Sequence, residues 1–245
     1  MLDPVYFAVS AVMWCWHQLF GLLLGPASGA AWALSVVFLV LTLRALLIRP
    51  FLAQVRSGRA MRALAPQVAE LRRHHAGDTA RLAQETVALQ KAHGVSVWSS
   101  LLPTVAQLPV FIGLLHVLHS FVPGSTNYAF GAVEVHSFLS ARLFGAPLSG
   151  YLSMPQQVLD GLGVGSFDVA LVAVPLIVLA AVATHFSARH AAQQPDAAAF
   201  LRWTPWIFPI GVLVGGVAFP LPIAILLYWL TQNIWTLVQQ RLVYR

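Results

Sequence analysis

From Trp203 to Gln240 the chain carries no charged side chain, and that apolar block is longer than a single membrane-spanning helix needs, roughly 20 residues. It is interrupted at Phe219-Pro220-Leu221-Pro222, where two prolines cannot donate backbone hydrogen bonds. The block therefore reads as two helices, 203–219 and 223–240, joined by a turn at 220–222. Three further segments have the required length and apolarity: 29–50, 100–122 with Pro103 and Pro109 inside it, and 168–187. Composition agrees, with 9% of residues charged against about 25% in a soluble globular protein. A soluble fold with 58% apolar residues and a mean hydropathy of +0.75 would expose more apolar surface than solubility tolerates. The expected fold class is an all-α polytopic membrane protein with a five-helix transmembrane core.

The N-terminal segment, residues 1–28, fits two descriptions. Pro4 to Leu24 is long and apolar enough for a sixth span, yet Ser10, Trp14, His17, Gln18, Gly21 and Gly25 recur at spacings of three and four and share one helical face. That amphipathicity favours an interfacial helix, with Trp14 and Trp16 near the headgroups. The segment lacks a basic n-region, so a secretory signal peptide is not expected. One cysteine, Cys15, rules out an intramolecular disulfide framework and argues against a Cys-built metal site.

The net charge of +6 acquires meaning from its distribution. Eight basic residues lie between Arg49 and Lys91. With alternating spans they share a side with the 188–202 loop, which holds Arg189 and Arg202, and with the 241–245 tail, which holds Arg241 and Arg245. Twelve of 14 positive charges fall on that side, leaving Arg142 on the other and Arg44 within the first span. The positive-inside rule makes the twelve cytoplasmic, giving an outside N-terminus, a cytoplasmic C-terminus and an extracytoplasmic loop at 123–167. That loop is rich in Gly, Ser and Pro and suggests no function by itself.

Residues 51–99 carry helical chemistry. Met61, Leu64, Val68 and Leu71 repeat at helical spacing, His74 to Asp78 supply a turn, and Leu82, Thr86, Leu89 and His93 mark a second helix, with Asp78 placed to cap it and Gly94 to end it. A cytoplasmic helical hairpin is expected. Its Arg56, Arg59, Arg62, Arg72 and Arg73 serve topology and anionic lipid on one reading. On a sharper one they recruit an incoming nascent chain or touch ribosomal RNA. No aromatic platform is interleaved with them, so sequence-specific nucleic-acid binding is not expected.

Arg44 is the most informative residue, because it lies about 7.5 Å deeper than Arg49 at 1.5 Å per residue. A guanidinium at helix centre costs roughly 2.5–3.5 kcal/mol on insertion scales. Snorkelling to the headgroups is one escape, although Arg49 already occupies that level. No carboxylate lies within the spans to pair with Arg44, so a water-filled cavity attractive to acidic groups is the other. Thr42, Gln107, Thr231, Gln232 and Asn233 are candidate polar walls, and Tyr228 and Trp229 a candidate apolar flank. His116, His119 and His185 lack matching ligands nearby, so neither a metal nor another cofactor is expected. Neither a phosphate-binding Gly-x-x-x-x-Gly-Lys loop nor a nucleophile motif occurs, and an enzyme is not expected.

The run Thr42 to Pro50, the basic hairpin, Leu102 to Phe111 and Leu227 to Asn233 followed by Gln239-Gln240 resemble the YidC/Oxa/Alb membrane protein insertase family, in an order covering Trp32 to Tyr244. The chain is most similar to actinobacterial or other Gram-positive members. The resemblance implies a bacterial cell-membrane protein that inserts and helps fold integral membrane proteins, with or without the Sec translocon. It implies a hydrophilic groove open to cytoplasm and lipid, with Arg44 as the groove arginine, Gln107, Gln232 and Asn233 among its polar positions, and Tyr228 and Trp229 touching substrate. Nascent membrane proteins are the implied partners, with the Sec translocon, the ribosome and anionic lipids beside them. Two departures stand out: Ser96-Val97 replaces an Asn-Pro common before the second core span, and the tail ends at Arg245 where relatives carry a longer basic tail, which weighs against ribosome docking.

Two other classes compete. A small-solute or anion transporter with an Arg-lined cavity should show related halves with interrupted helices, and no such repeat occurs. An intramembrane hydrolase needs a nucleophile and base; Ser120 and His116 share a face, without a supporting motif.

Overall fold

A computed structural model describes residues 2–75, 77–94, 97–192 and 203–243. Ten helices and one two-stranded hairpin make up the described chain, so the protein is an all-α membrane protein. Three described helical stretches are long and apolar enough to cross a membrane: Asp3–Leu24, Gly29–Leu46 and Ser166–His190. Gln107–His119 and Thr204–Ala218 are shorter apolar helical stretches.

The chain divides into two compact units. The first comprises residues 1–43, 109–193 and 197–245. It holds α1 (Asp3–Leu24) and most of α2 (Gly29–Leu46), which meet through Gly25 in the left-handed region at φ +91°. Part of the polar stripe of α1 turns inward, while its Trp14 and Gln18 stay exposed. Ser10, His17 and Gly21 are buried, while Phe7, Leu19, Leu22 and Leu23 are exposed, the reverse of a water-soluble helix. Trp32 on α2, fully buried, receives the His17 ring at a centroid distance of 3.6 Å. It also donates from Nε1 to Ser137 Oγ at 3.0 Å.

The 123–167 connection carries secondary structure of its own. It contains α6 (Ala132–Ser140), the hairpin β1 (Arg142–Leu143) to β2 (Ala146–Pro147), and α7 (Gln156–Gly161). The two-residue turn Phe144-Gly145 has both φ angles positive, +51° and +91°, which matches the right-handed strand twist. Phe130 and Phe138 are buried against Trp32 and Phe121. This segment also finishes α10 (Ile223–Val243): Gly150 and Leu148 carbonyls accept from the Ile223 and Ala224 N–H groups at 2.9 and 3.1 Å. Those donors have no partner within the helix, and Ile223 to Leu226 are buried, so orphaned groups there would be costly.

α8 (Ser166–Ala192) packs against both α9 (Thr204–Ala218) and α10. Gly216 permits the approach of α9, since a Cβ there would meet Ile177 at 2.8 Å. α9 and α10 stop and start on either side of the Pro220–Pro222 turn.

The second unit comprises residues 44–108 and 194–196. The helix begun at Gly29 ends at Leu46, short of Pro50, and α3 (Ile48–His74) starts immediately, with Pro50 in its first turn where no N–H is needed. Pro66 lies inside α3. Asp78 Oδ1 accepts the Arg81 N–H at 2.9 Å and caps α4 (Thr79–Ala92), and Gly94 follows at φ +67°. α3 packs on α4. Val55, Leu64 and Gln90 are buried, and His75 and Arg81 both reach Glu85, at 2.8 and 3.4 Å. The last helix of the chain's middle, α5 (Val97–His119), is continuous through Pro103 and Pro109.

Candidate functional site

Arg44 occupies the last turn of α2, half-buried, at the boundary where the second unit begins. A cation there complements the partial negative charge of the helix C-terminus, worth about 0.3–1 kcal/mol. Gln107, also half-buried, belongs to the same unit. The hairpin arginines Arg56, Arg59, Arg72 and Arg73 are exposed; Arg56 Nε donates back to the Leu52 carbonyl at 3.4 Å. The Arg62 side chain, like those of residues 97–106, lies outside the described set, as does Ser96.

The remaining candidates stand on α10 in the first unit. Tyr228 is 2% exposed and its ring lies 5.9 Å from that of Phe111. Trp229 is half-buried and packs with Leu230 against Ala180, Ala181 and Val212. Gln232 is buried. Asn233 Oδ1 stands 2.9 Å from the Thr184 hydroxyl of α8, and its Nδ2 donates to the Trp229 carbonyl at 2.8 Å. Asn233 therefore links α8 to α10 in this structure. Thr231 donates to the Leu227 carbonyl one turn back, and Thr42 receives the Trp16 indole N–H at 2.9 Å.

Thr184 and His185 escaped the sequence reading as partners of this region. His185 Nδ1 lies 2.7 Å from the Pro205 carbonyl and so carries the proton, tying α8 to α9. Only the adjacency of two polar residues in an apolar span hinted at either. Among the described residues no group of His, Cys, Asp or Glu is arranged to hold a metal ion.

Polar side chains distributed over helices of an apolar bundle, a basic helical hairpin and an arginine at a helix end form the pattern that comparison with known proteins resolves. A family model described as "60Kd inner membrane protein" matches residues 23–245. The chain belongs to that family, the YidC/Oxa family. Similar members include the membrane protein insertase YidC of Mycobacterium tuberculosis (strain ATCC 25618 / H37Rv), 41% identical over 99% of this chain and 72% of that protein. That of Mycobacterium leprae (strain TN) is 42% identical over 99% of this chain and 70% of its own length. The Streptomyces avermitilis insertase is 33% identical over 97% of this chain and 56% of its own length. Family membership accounts for the order of motifs from Thr42 to Gln240, and the similar members named here are actinobacterial.

Proposed function

We propose that this chain is a membrane protein insertase of the bacterial cell membrane, acting without nucleotide hydrolysis or a cofactor. The observation that carries the reading is 41% identity across 99% of the chain to proteins named membrane protein insertase YidC. The physics of Arg44 supplies the mechanism. A client's polar outer tail enters a hydrophilic groove to which Arg44, Gln107, Gln232 and Asn233 belong, while its apolar segment slides along a flank that includes Tyr228 and Trp229. At about 4 Å and an effective dielectric near 20, a guanidinium and a tail carboxylate attract by roughly 4 kcal/mol before desolvation. That offsets much of the entry cost of one charge without creating a permanent trap. Burial of the client's apolar helix in lipid, at about 25 cal/mol per Å², then drives release.

On this reading the core has five spans, α1 lies in the outer interface, and the hairpin faces the cytoplasm together with the C-terminus. Its exposed Arg56, Arg59, Arg72 and Arg73 receive nascent chains and hold the hairpin near anionic lipid. The Sec translocon and the ribosome are further partners of the same proposal.

The test reconstitutes wild type and Arg44→Ala in vesicles and follows insertion of one single-span client bearing acidic or neutral outer tails. Arg44→Ala is expected to slow the acidic-tailed client by at least tenfold and the neutral one less. Equal insertion of every client by both proteins would remove Arg44 from the mechanism.

A further inference from the structure

Within the first unit, a cationic site lies where α8 and α10 end side by side. A cavity of about 320 Å³ is lined by Phe186, Arg189 and His190 of α8 and by Leu237, Gln240 and Arg241 of α10. Phe186 precedes Arg189 by three residues and Leu237 precedes Arg241 by four on their helices, so the apolar pair sits about one turn nearer the bilayer centre than the two arginines. From Asp168 to Arg189 the helix rises about 32 Å and from Ile223 to Arg241 about 27 Å, close to the thickness of the hydrocarbon core. The guanidiniums therefore arrive at headgroup level when these helices span the membrane, with an apolar wall beneath them.

The site carries net positive charge. Each helix C-terminus contributes roughly −0.5, so two arginines leave about +1. Neither Arg189 nor Arg241 has an acidic partner among the described residues. Gln240 lines the same cavity, and among the described residues its buried Oε1 has no hydrogen-bonding partner, an acceptor awaiting a donor. Phosphate oxygens for the arginines, a hydroxyl for Gln240 and an acyl chain over Phe186 and Leu237 are features of one molecule class.

We propose that this cavity binds an anionic phospholipid with a hydroxyl-bearing headgroup, phosphate on Arg189 and Arg241, headgroup hydroxyl on Gln240. The inference rests on α8 and α10 crossing the membrane, and not on what the groove does to clients. A nucleic-acid backbone or an acidic peptide would use the arginines and leave the apolar wall unexplained.

The experiment titrates the delipidated full chain in detergent with phosphatidylglycerol or phosphatidylcholine of identical acyl chains, reading bound lipid by native mass spectrometry. Wild type is expected to retain phosphatidylglycerol preferentially, and Arg189→Gln with Arg241→Gln to weaken it roughly thirtyfold, two basic residues acting at the membrane surface. Arg189→Lys with Arg241→Lys keeps the charge and is expected to recover most of the binding, which separates charge loss from misfolding. Equal binding of the two lipids, or an unchanged double Gln variant, overturns the proposal. So does displacement of the lipid by inorganic phosphate or by an acidic peptide at matched concentration, which would assign the cavity to a soluble anion or a protein tail. No client is present in the assay, so insertion activity can fail with lipid selectivity intact, and the reverse.

Discussion

The Thr184 hydroxyl of α8 and the Asn233 Oδ1 of α10 stand 2.9 Å apart, while Asn233 holds its own helix through the Trp229 carbonyl. A bond of this kind between membrane helices is worth about 0.6 kcal/mol on average, because the alternative conformers also find partners. Thr184→Val and Asn233→Ala should each lower thermal stability modestly, and the double variant should cost less than their sum by about that amount. A thermal-shift cycle in detergent measures it. Full additivity would mean that the two residues act independently and would free Asn233 for a role in client contact alone.

Gly29 opens α2 against the hairpin strand, and a Cβ built there would overlap the Arg142 carbonyl oxygen. Backbone, unlike a side-chain tip, cannot step aside, so Gly29→Ala should cost more than the roughly 1–3 kcal/mol of ordinary overpacking. The expected result is loss of folded protein in detergent, read by size-exclusion recovery. Gly58→Ala, where a Cβ would meet nothing within 4 Å, serves as the tolerated comparison.

How much of this was readable in the chain depends on how local the determining chemistry is. Pro220 and Pro222 announce a helix break because each removes a donor within its own residue. Asp78 announces a cap because its partner, the Arg81 N–H, is three residues away. The folded state of 123–167 has no such signature. Asn127 Nδ2 donates to the Val117 carbonyl, Trp32 reaches Ser137 across 105 positions, and Gly150 completes α10 at Ile223, so each bond joins segments that sequence periodicity treats separately. The polar stripe on α1 was legible as a face, but not its direction. Ser10 and His17 turn toward Ala129 and Trp32, partners that lie far along the chain or on another helix. Among the candidate groove residues, Arg44 and Gln107 announced themselves by polarity inside apolar runs. The same cue could not reveal that Asn233 is paired to Thr184, 49 positions earlier.

In the hairpin, Asp78→Ala removes the side-chain acceptor at the start of α4 and should cost about 1 kcal/mol of local stability. Hydrogen exchange should speed up roughly fivefold across Thr79–Ala92, with helices of the first unit unchanged. Asp78→Asn retains an acceptor and should restore most of the protection. Uniform acceleration throughout the chain would show instead that the cap governs global stability.

Ser137 joins the α1–α2 connection to the folded 123–167 segment: its hydroxyl donates to the Pro26 carbonyl at 2.6 Å and accepts the Trp32 indole N–H at 3.0 Å. Trp32 is fully buried, so Ser137→Ala strands its N–H away from water, a cost of about 1–3 kcal/mol. Trp32→Phe removes that donor but leaves a cavity between His17, Phe130 and Phe138, the rings packed on the indole. Combining the two should cost less than the sum, because the stranded donor no longer exists to be penalised. Melting temperatures of the four proteins in one detergent decide the matter. Strict additivity would mean that the indole N–H finds another acceptor when Ser137 is lost, and that the serine acts through Pro26 alone.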